Sequence, residues 1–266
     1  MNKYEVPPKH PRATSLRIRT KLVHGFESGI TSTFGLFAHG RGEAFDYLIG
    51  EKTTKNAKRA IKVAAANLIL GQNSVLSVNG NVAALVPKEL VKLAKVSEAK
   101  LEINLYHRSR EREKAIAQVL KDAGAKEIYG LDSDYHETIP EIHSERRIVD
   151  HRGLFIADVV FVPLEDGDRT EGLVRLGKRV ITVDLNPLSR TAQMANITIV
   201  DNVVRALPLL ITAVRKLRND SKKKLQAIID DFDNQQNLSE AIHLINNRLR
   251  TLAETQRLLN SREEKK

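Results

Sequence analysis

The chain contains no cysteine and no tryptophan, and only 5% of its residues are aromatic. The missing thiols exclude disulfides, thiolate metal sites and cysteine nucleophiles, and they point to a reducing or hot compartment. With so few aromatic rings, the stacking platforms that single-strand binders use for bases are missing as well. No apolar run approaches the roughly 18 to 20 residues needed to span a bilayer, and the N-terminal MNKYEVPPKHPRATSLRIR lacks the apolar middle of a signal peptide. The expected setting is therefore cytoplasmic, with no membrane partner.

What is present is a chain of 266 residues, 41% hydrophobic, with a net charge of +10. That is enough for a sizeable core, and a single α/β domain over residues 1–266 is expected, with helical additions at both ends. The positive charge raises the question of nucleic acid. Much of it, however, lies in runs such as Lys222-Lys223-Lys224 and Lys265-Lys266 that read as solvated, and no helix-turn-helix, zinc-finger or aromatic RNP pattern accompanies it. A pocket for small phosphorylated substrates accounts for it equally, so no nucleic-acid partner is expected.

The most unusual stretch is residues 35–54, GLFAHGRGEAFDYLIGEKTT, which gathers an imidazole, a guanidinium, ammonium groups, carboxylates and glycines. In Ala38-His39-Gly40-Arg41-Gly42-Glu43 the flanking glycines suggest a turn whose backbone approaches an anion, placed at the start of a helix opened by Glu43. The bland alternative is an ordinary turn, and the spacing matches neither a phosphate loop nor a dinucleotide fingerprint.

Periodicity orders the rest. A helix is expected over 14–29, and Thr53 or Thr54 caps another whose Ala57, Ala60, Ile61, Ala64, Ala65 and Leu68 share one face. Strands are expected over 75–78, 100–106, 127–129, 157–162, 179–183 and 197–200, with helices over 82–95, 109–122 and 169–176 between them. This alternation predicts a three-layer, Rossmann-like parallel sheet. Residues 132–152 read as a long polar connection, and helices follow from 203 to about 260. In the last of these, Leu238, Ile242, Ile245, Leu249 and Leu252 form a heptad seam, either for packing on the chain's own core or for a subunit interface.

Polar groups crowd the expected strand ends: Asn79-Gly80-Asn81, His107-Arg108, Glu165-Asp166-Gly167-Asp168-Arg169, Asp184-Leu185-Asn186 and Asp201-Asn202. Open parallel sheets bind ligands outside the carboxyl ends of their strands, so a ligand site is expected on this edge. Asn81, Asp168 and Asp201 can also serve as helix caps.

Through the blocks GLFAHGRGEAFDYLIGEKTT, SVNGNVAALVP, PLEDGDRTEGLVRLGK and VDLNPLSRTA, the chain resembles the archaeal phosphopantothenate synthetases, or 4-phosphopantoate–β-alanine ligases, over about residues 11–252. The resemblance implies ATP-dependent joining of 4-phosphopantoate to β-alanine through an acyl-adenylate, with release of AMP and diphosphate, as a step toward coenzyme A, and it implies a homodimer. It also implies ATP contacts by Arg19, Arg41, Asp184, Leu185, Asn186, Arg190, Thr191, Asn202 and Val203. The competing classes are a nucleotide-binding regulator and a basic nucleic-acid-binding module, neither with chemistry.

The residues suit such chemistry. Arg41 and Arg19 can hold phosphate bidentately. Asp184 is placed to accept ribose hydroxyls, or else to cap a helix. Lys52 is a second cation, or a solvated helix-end lysine. His39 is a candidate to orient a phosphate or take the ammonium proton of β-alanine, or it is a hydrogen-bonded turn residue. Glu165, Asp166 and Asp168 are candidate ligands for the Mg²⁺ that accompanies ATP. Asn79, Asn81, Arg108 and Arg169 are candidates to hold phosphopantoate. If residues 132–152 reach across the two-fold axis of the expected dimer, Glu145 or Arg146 would complete the partner's phosphopantoate pocket; otherwise the whole site lies within one chain.

Overall fold

The computed structural model describes residues 6–255. The run Lys265-Lys266, like the rest of the chain beyond residue 255, lies outside the described residues. Three helices come first, α1 (Ala13–Glu27), α2 (Thr33–Ile49) and α3 (Lys55–Leu70). Thr54 caps α3 by accepting the Ala57 N–H at 3.1 Å, a contact of about 1 kcal/mol in such positions. The alternation then runs β1 (Ser74–Val78), α4 (Gly80–Leu85), α5 (Pro87–Ser97), β2 (Lys100–Ile103) and α6 (Arg110–Asp122). The helix expected over 82–95 is thus two helices, because Pro87 has no N–H to continue α4 and instead opens α5.

A hairpin of β3 (His136–Thr138) and β4 (Ile148–Asp150) follows, then β5 (Val159–Phe161), α7 (Gly167–Arg175), β6 (Arg179–Val183), α8 (Arg190–Met194) and β7 (Ile197–Ile199). The chain continues with α9 (Val203–Leu217), α10 (Lys222–Asp230) and α11 (Asn234–Glu254).

The main sheet has the order β2-β1-β5-β6-β7, all parallel. Alternation along the strands divides the core. Leu76, Val78, Phe161, Ile181 and Ile197 meet α3, α5 and α9 on one face, while Val75, Val160, Val162 and Val180 form a second cluster with Ile139, Ile142, Leu154 and Leu173 on the other. This is the expected three-layer α/β sheet. The second layer is built partly by the 132–152 connection, whose Ile139, Ile142 and Val149 are buried. The strand expected at 127–129 is reduced to a single bridge between Tyr129 and Glu102.

Glu102 explains how that connection is held. Its carboxylate is fully buried on β2 and accepts the N–H groups of Asp150 at 3.1 Å and Leu154 at 2.5 Å. Two backbone donors that would otherwise lie buried without partners are satisfied, and burial pushes the Glu102 carboxyl up to about 7.

The glycine-rich segment differs most from expectation. His39, Gly40, Arg41 and Gly42 lie within α2, whose start is capped earlier by Ser32. Ser32 is a stronger start signal than Glu43, and glycines in a helix interior cost only about 1 kcal/mol each, which tertiary packing overrides. The segment therefore offers side chains from one helical surface rather than a backbone cradle.

Candidate functional site

The strand order turns between β1 and β5, where crossovers leave in opposite directions, and this switch point is where open sheets form a crevice. Asn79, the cap of α4, closes the bottom of it. Its Oδ1 accepts the Val82 N–H at 3.0 Å, and its Nδ2 donates to the carbonyls of Pro163 at 2.9 Å and Leu164 at 3.0 Å. With its amide fully engaged, Asn79 fixes the ends of β1 and β5 to each other.

Two cavities open above this point. The smaller, about 130 Å³, lies over β5, β6 and β7 and is lined by His39, Arg41, Gly42, Asp184, Leu185, Asn186, Asn202 and Val203 among others. The larger, about 570 Å³, lies over β1, β2 and β5 and includes Phe34, Asn79, Asn81, His107, Arg112 and Arg146. Ala38, Asn81, Leu164 and Asp166 line both, so the two are halves of one crevice beneath α2. Asn81 is held at the junction by donating to the Gly35 carbonyl at 2.8 Å. A Cβ at residue 35 would collide with the Asn81 side chain, so the glycine there is required by this close approach.

In the smaller half, Asp184 accepts the Asn186 N–H at 2.9 Å and the Ser189 hydroxyl at 2.5 Å. Burial raises the Asp184 carboxyl, opposed by these hydrogen bonds and by the positive charge of Arg41. Arg41 is exposed and reaches this half from α2. His39 is half-buried, and its imidazole is held below the ordinary range, chiefly by burial, which favours the neutral ring. Asn202 donates to Asp46 at 2.9 Å, and Arg205 bridges Asp46 and Asp201, so α9 and α2 are joined directly beneath this half.

Several expected site residues stand elsewhere. Arg19 holds Glu43 through Nε at 2.9 Å and lines neither half of the crevice, although its charge reaches His39. Lys52 is exposed beyond the end of α2 and also lines neither. Arg190 is exposed and pairs with Glu171 and with Asp168, while the buried Thr191 donates to the Glu165 carbonyl at 2.8 Å. Arg108 pairs with Glu113 and donates to the Gly130 carbonyl at 2.7 Å, which ties α6 to the hairpin connection. Arg169 is buried against Ser77 and Glu165. Local spacing brought these cations to strand ends, but nearby carboxylates and carbonyls had already taken their donors.

The three carboxylates considered for a metal do not converge. Glu165 is buried between Arg146 and Arg169, Asp166 lies 3.3 Å from Arg146, and Asp168 turns outward toward Arg190 at 3.5 Å. Among the described residues, no group of three or more His, Cys, Asp or Glu side chains is placed to hold a metal ion. Asp166 and Asp168 nevertheless both line the larger half, where a cation carried on a polyphosphate needs only one or two carboxylates.

Arg146 corrects the expectation for the 132–152 connection. It is buried in its own chain, paired with Glu165 and Asp166, and lines that chain's crevice. Arg146 and Arg112 are the cations of the larger half. Arg146 was placed at a pocket by the sequence, though at a partner's, whereas Arg112 lies hidden in the charged helical run REREK and was missed.

A Rossmann-like parallel sheet with a two-part polar crevice at its switch point defines this as an α/β protein with a candidate ligand site at its strand ends. A family model described as phosphopantothenate/pantothenate synthetase matches residues 56–248. The chain belongs to that family. It is 53% identical over 251 residues to the 4-phosphopantoate–β-alanine ligase of Thermococcus onnurineus, covering 94% of this chain and 95% of the relative. The ligases of the same name from Thermococcus kodakarensis and Methanosarcina mazei are 52% and 48% identical, with 94% of this chain covered in each case and 95% and 97% of the relatives.

Proposed function

We propose that this protein is an ATP-dependent ligase that condenses 4-phosphopantoate with β-alanine in coenzyme A biosynthesis, forming 4-phosphopantothenate, AMP and diphosphate through a phosphopantoyl-adenylate. The observation that carries the reading, beyond family membership, is the junction of the two cavities at Ala38, Asn81, Leu164 and Asp166. A nucleotide in the smaller half and an acid in the larger would meet there, and holding both in line supplies much of the rate enhancement of such a transfer.

Asp184, Leu185, Asn186, Asn202 and Val203 form the nucleotide side, with Asp184 accepting ribose hydroxyls. Arg41 faces the polyphosphate and stabilises charge that develops as diphosphate leaves. His39, kept neutral, is the base that takes the ammonium proton of β-alanine. Mg²⁺ would be held through Asp166 and Asp168 and would supply charge neutralisation on the phosphates. Asn81 spans the junction and orients the acid. Arg19 acts through Glu43 and His39, Arg108, Arg169, Arg190 and Thr191 support the surrounding framework, and Lys52 is a solvated cation beyond the end of α2.

The cytoplasm is the proposed compartment, and among the described residues no helix is long and apolar enough to cross a membrane. A homodimer is supported by α11. Along its heptad seam Leu238 is buried, Ile242 is 39% exposed beside the exposed Leu188 and Met194, and Leu249, two turns further on, is 45% exposed. The reaction is tested by incubating the protein with ATP, Mg²⁺, 4-phosphopantoate and β-alanine. AMP should form in step with phosphopantothenate, and labelled diphosphate should exchange into ATP only when phosphopantoate is present. Stoichiometric ADP would replace the adenylate with an acyl-phosphate.

A further inference from the structure

Arg112 occupies the third position of α6 and lines the larger half of the crevice. Its Nη1 donates to the His107 carbonyl and its Nη2 to the Ile30 carbonyl at 3.1 Å, while Nε is buried with no hydrogen-bond partner. Among the described residues no carboxylate pairs with it, whereas its neighbours are all compensated: Arg146 by Glu165 and Asp166, Arg169 by Glu165, and Arg108 by Glu113. Desolvation alone lowers the Arg112 guanidinium from its ordinary value, with no acidic group raising it. Its charge is also felt by Arg146 across the same cavity. A half-buried cation held only by carbonyl dipoles leaves the cavity with positive charge that a bound anion would neutralise.

The chain is shaped around this position. A Cβ at residue 80 would collide with the Ile30 carbonyl and stand 3.0 Å from Arg112 Nη2, so the glycine of the SVNGN block makes room for the contact that holds the guanidinium. Beside it, the Phe34 ring packs on His107 with centroids 4.8 Å apart and gives that end of the cavity an apolar wall.

We infer that Arg112 anchors the phosphate monoester of the acid substrate, with Phe34 beside the substrate's branched carbon chain, and that this contact makes the enzyme select the phosphorylated acid over free pantoate. The inference rests on the ligase reading above and goes further by assigning a specificity-determining residue. The carboxylate of the acid, at the other end of a short chain, then points toward Asn81 and Asp166, where the smaller half begins. An adenylating enzyme that gripped only the carboxylate could not distinguish the two acids. A buried cation at the far end can, because pantoate leaves it unpaired.

The test compares wild type with Arg112→Gln and Arg112→Lys. For 4-phosphopantoate, kcat/KM should fall on the order of 100-fold in R112Q and about 10-fold in R112K, which keeps the charge but not the planar fork. The preference for 4-phosphopantoate over pantoate should shrink by the same factors, inorganic phosphate should lose its competitive inhibition in R112Q, and ATP affinity measured by calorimetry should stay within about twofold. An unchanged preference, or a loss of ATP affinity as large as the loss for the acid, would overturn the assignment. If R112Q melts far below wild type, R112K carries the comparison. If wild type makes no phosphopantothenate, it is the ligase reading that fails, and calorimetric titration of inorganic phosphate into wild type and R112K still decides whether Arg112 holds a phosphate.

Discussion

Arg169 Nη1 lies 2.7 Å from Glu165 Oε2, one helical turn away, with both side chains only 1% exposed. Glu165 also receives Arg146 from the hairpin connection, so one carboxylate joins α7, the strand ends and the 132–152 segment beneath the crevice. Glu165→Gln would leave two buried guanidiniums short of charge. Breaking a buried pair in this way costs roughly 3 to 5 kcal/mol, to be read from denaturant unfolding, whereas Asp168→Asn on the exposed side of α7 should leave the midpoint unchanged.

Arg41 faces the nucleotide half from an exposed position on α2, with no role in the core. Arg41→Lys should fold as wild type yet lose about 10-fold or more in kcat/KM for ATP, because a point charge replaces a bidentate fork. A rate near wild type would remove Arg41 from the triphosphate site. Since Arg41 and Arg146 line the same chain's crevice, mixing Arg41→Ala with Arg146→Ala should restore no activity even after subunit exchange.

Glu102 makes stability depend on pH in a defined direction. Burial raises its folded pKa to about 7, above the value of 4.5 for an ordinary glutamate, so the folded state binds the proton more tightly. This contribution is fully present below about pH 4.5 and is lost as pH rises through 7, amounting to roughly 3 kcal/mol at about 1.4 kcal/mol per unit. Thermal midpoints followed from pH 5 to 8 should fall with a component that Glu102→Gln removes. An equal slope in the variant would assign the dependence to other groups.

The exposed apolar positions of α11 should mark the subunit contact. Ile242→Asp with Leu249→Asp should convert a dimer to a monomer in sedimentation velocity without altering the far-UV dichroism, since neither side chain is buried in the chain's own core. A dimer that survived both charges would place its interface elsewhere.

The layered sheet was legible because the signals are local. The face of α3 from Ala57 to Leu68, the alternation in β6 and the Ser109 and Ser221 caps each report on a few neighbouring residues, and the backbone obeys them. Polar strand ends were legible for the same reason, and each of those after β1, β2, β5, β6 and β7 contributes residues to the crevice lining, although Arg108, Arg169 and Asp201 do not line it. The glycines of α2 misled because glycine permits a turn without requiring one, and the Ser32 cap with the packing of Ile49 and Glu43 kept the helix whole.

The sequence by itself determined the three-layer α/β class, the edge that carries the crevice and, through its long blocks, the resemblance to a ligase family. Only the tertiary structure decided which charges are available there. With 43 basic and 33 acidic residues, the chain offers many possible pairings, and the choice among them is made across large sequence separations. Arg108 and Arg169 were spent on Glu113 and Glu165, Arg146 was carried into its own chain's crevice by the hairpin, and Arg112 was left facing the cavity with carbonyls alone. Coulomb energy depends on distance in space and on burial, and neither can be read from positions along a chain.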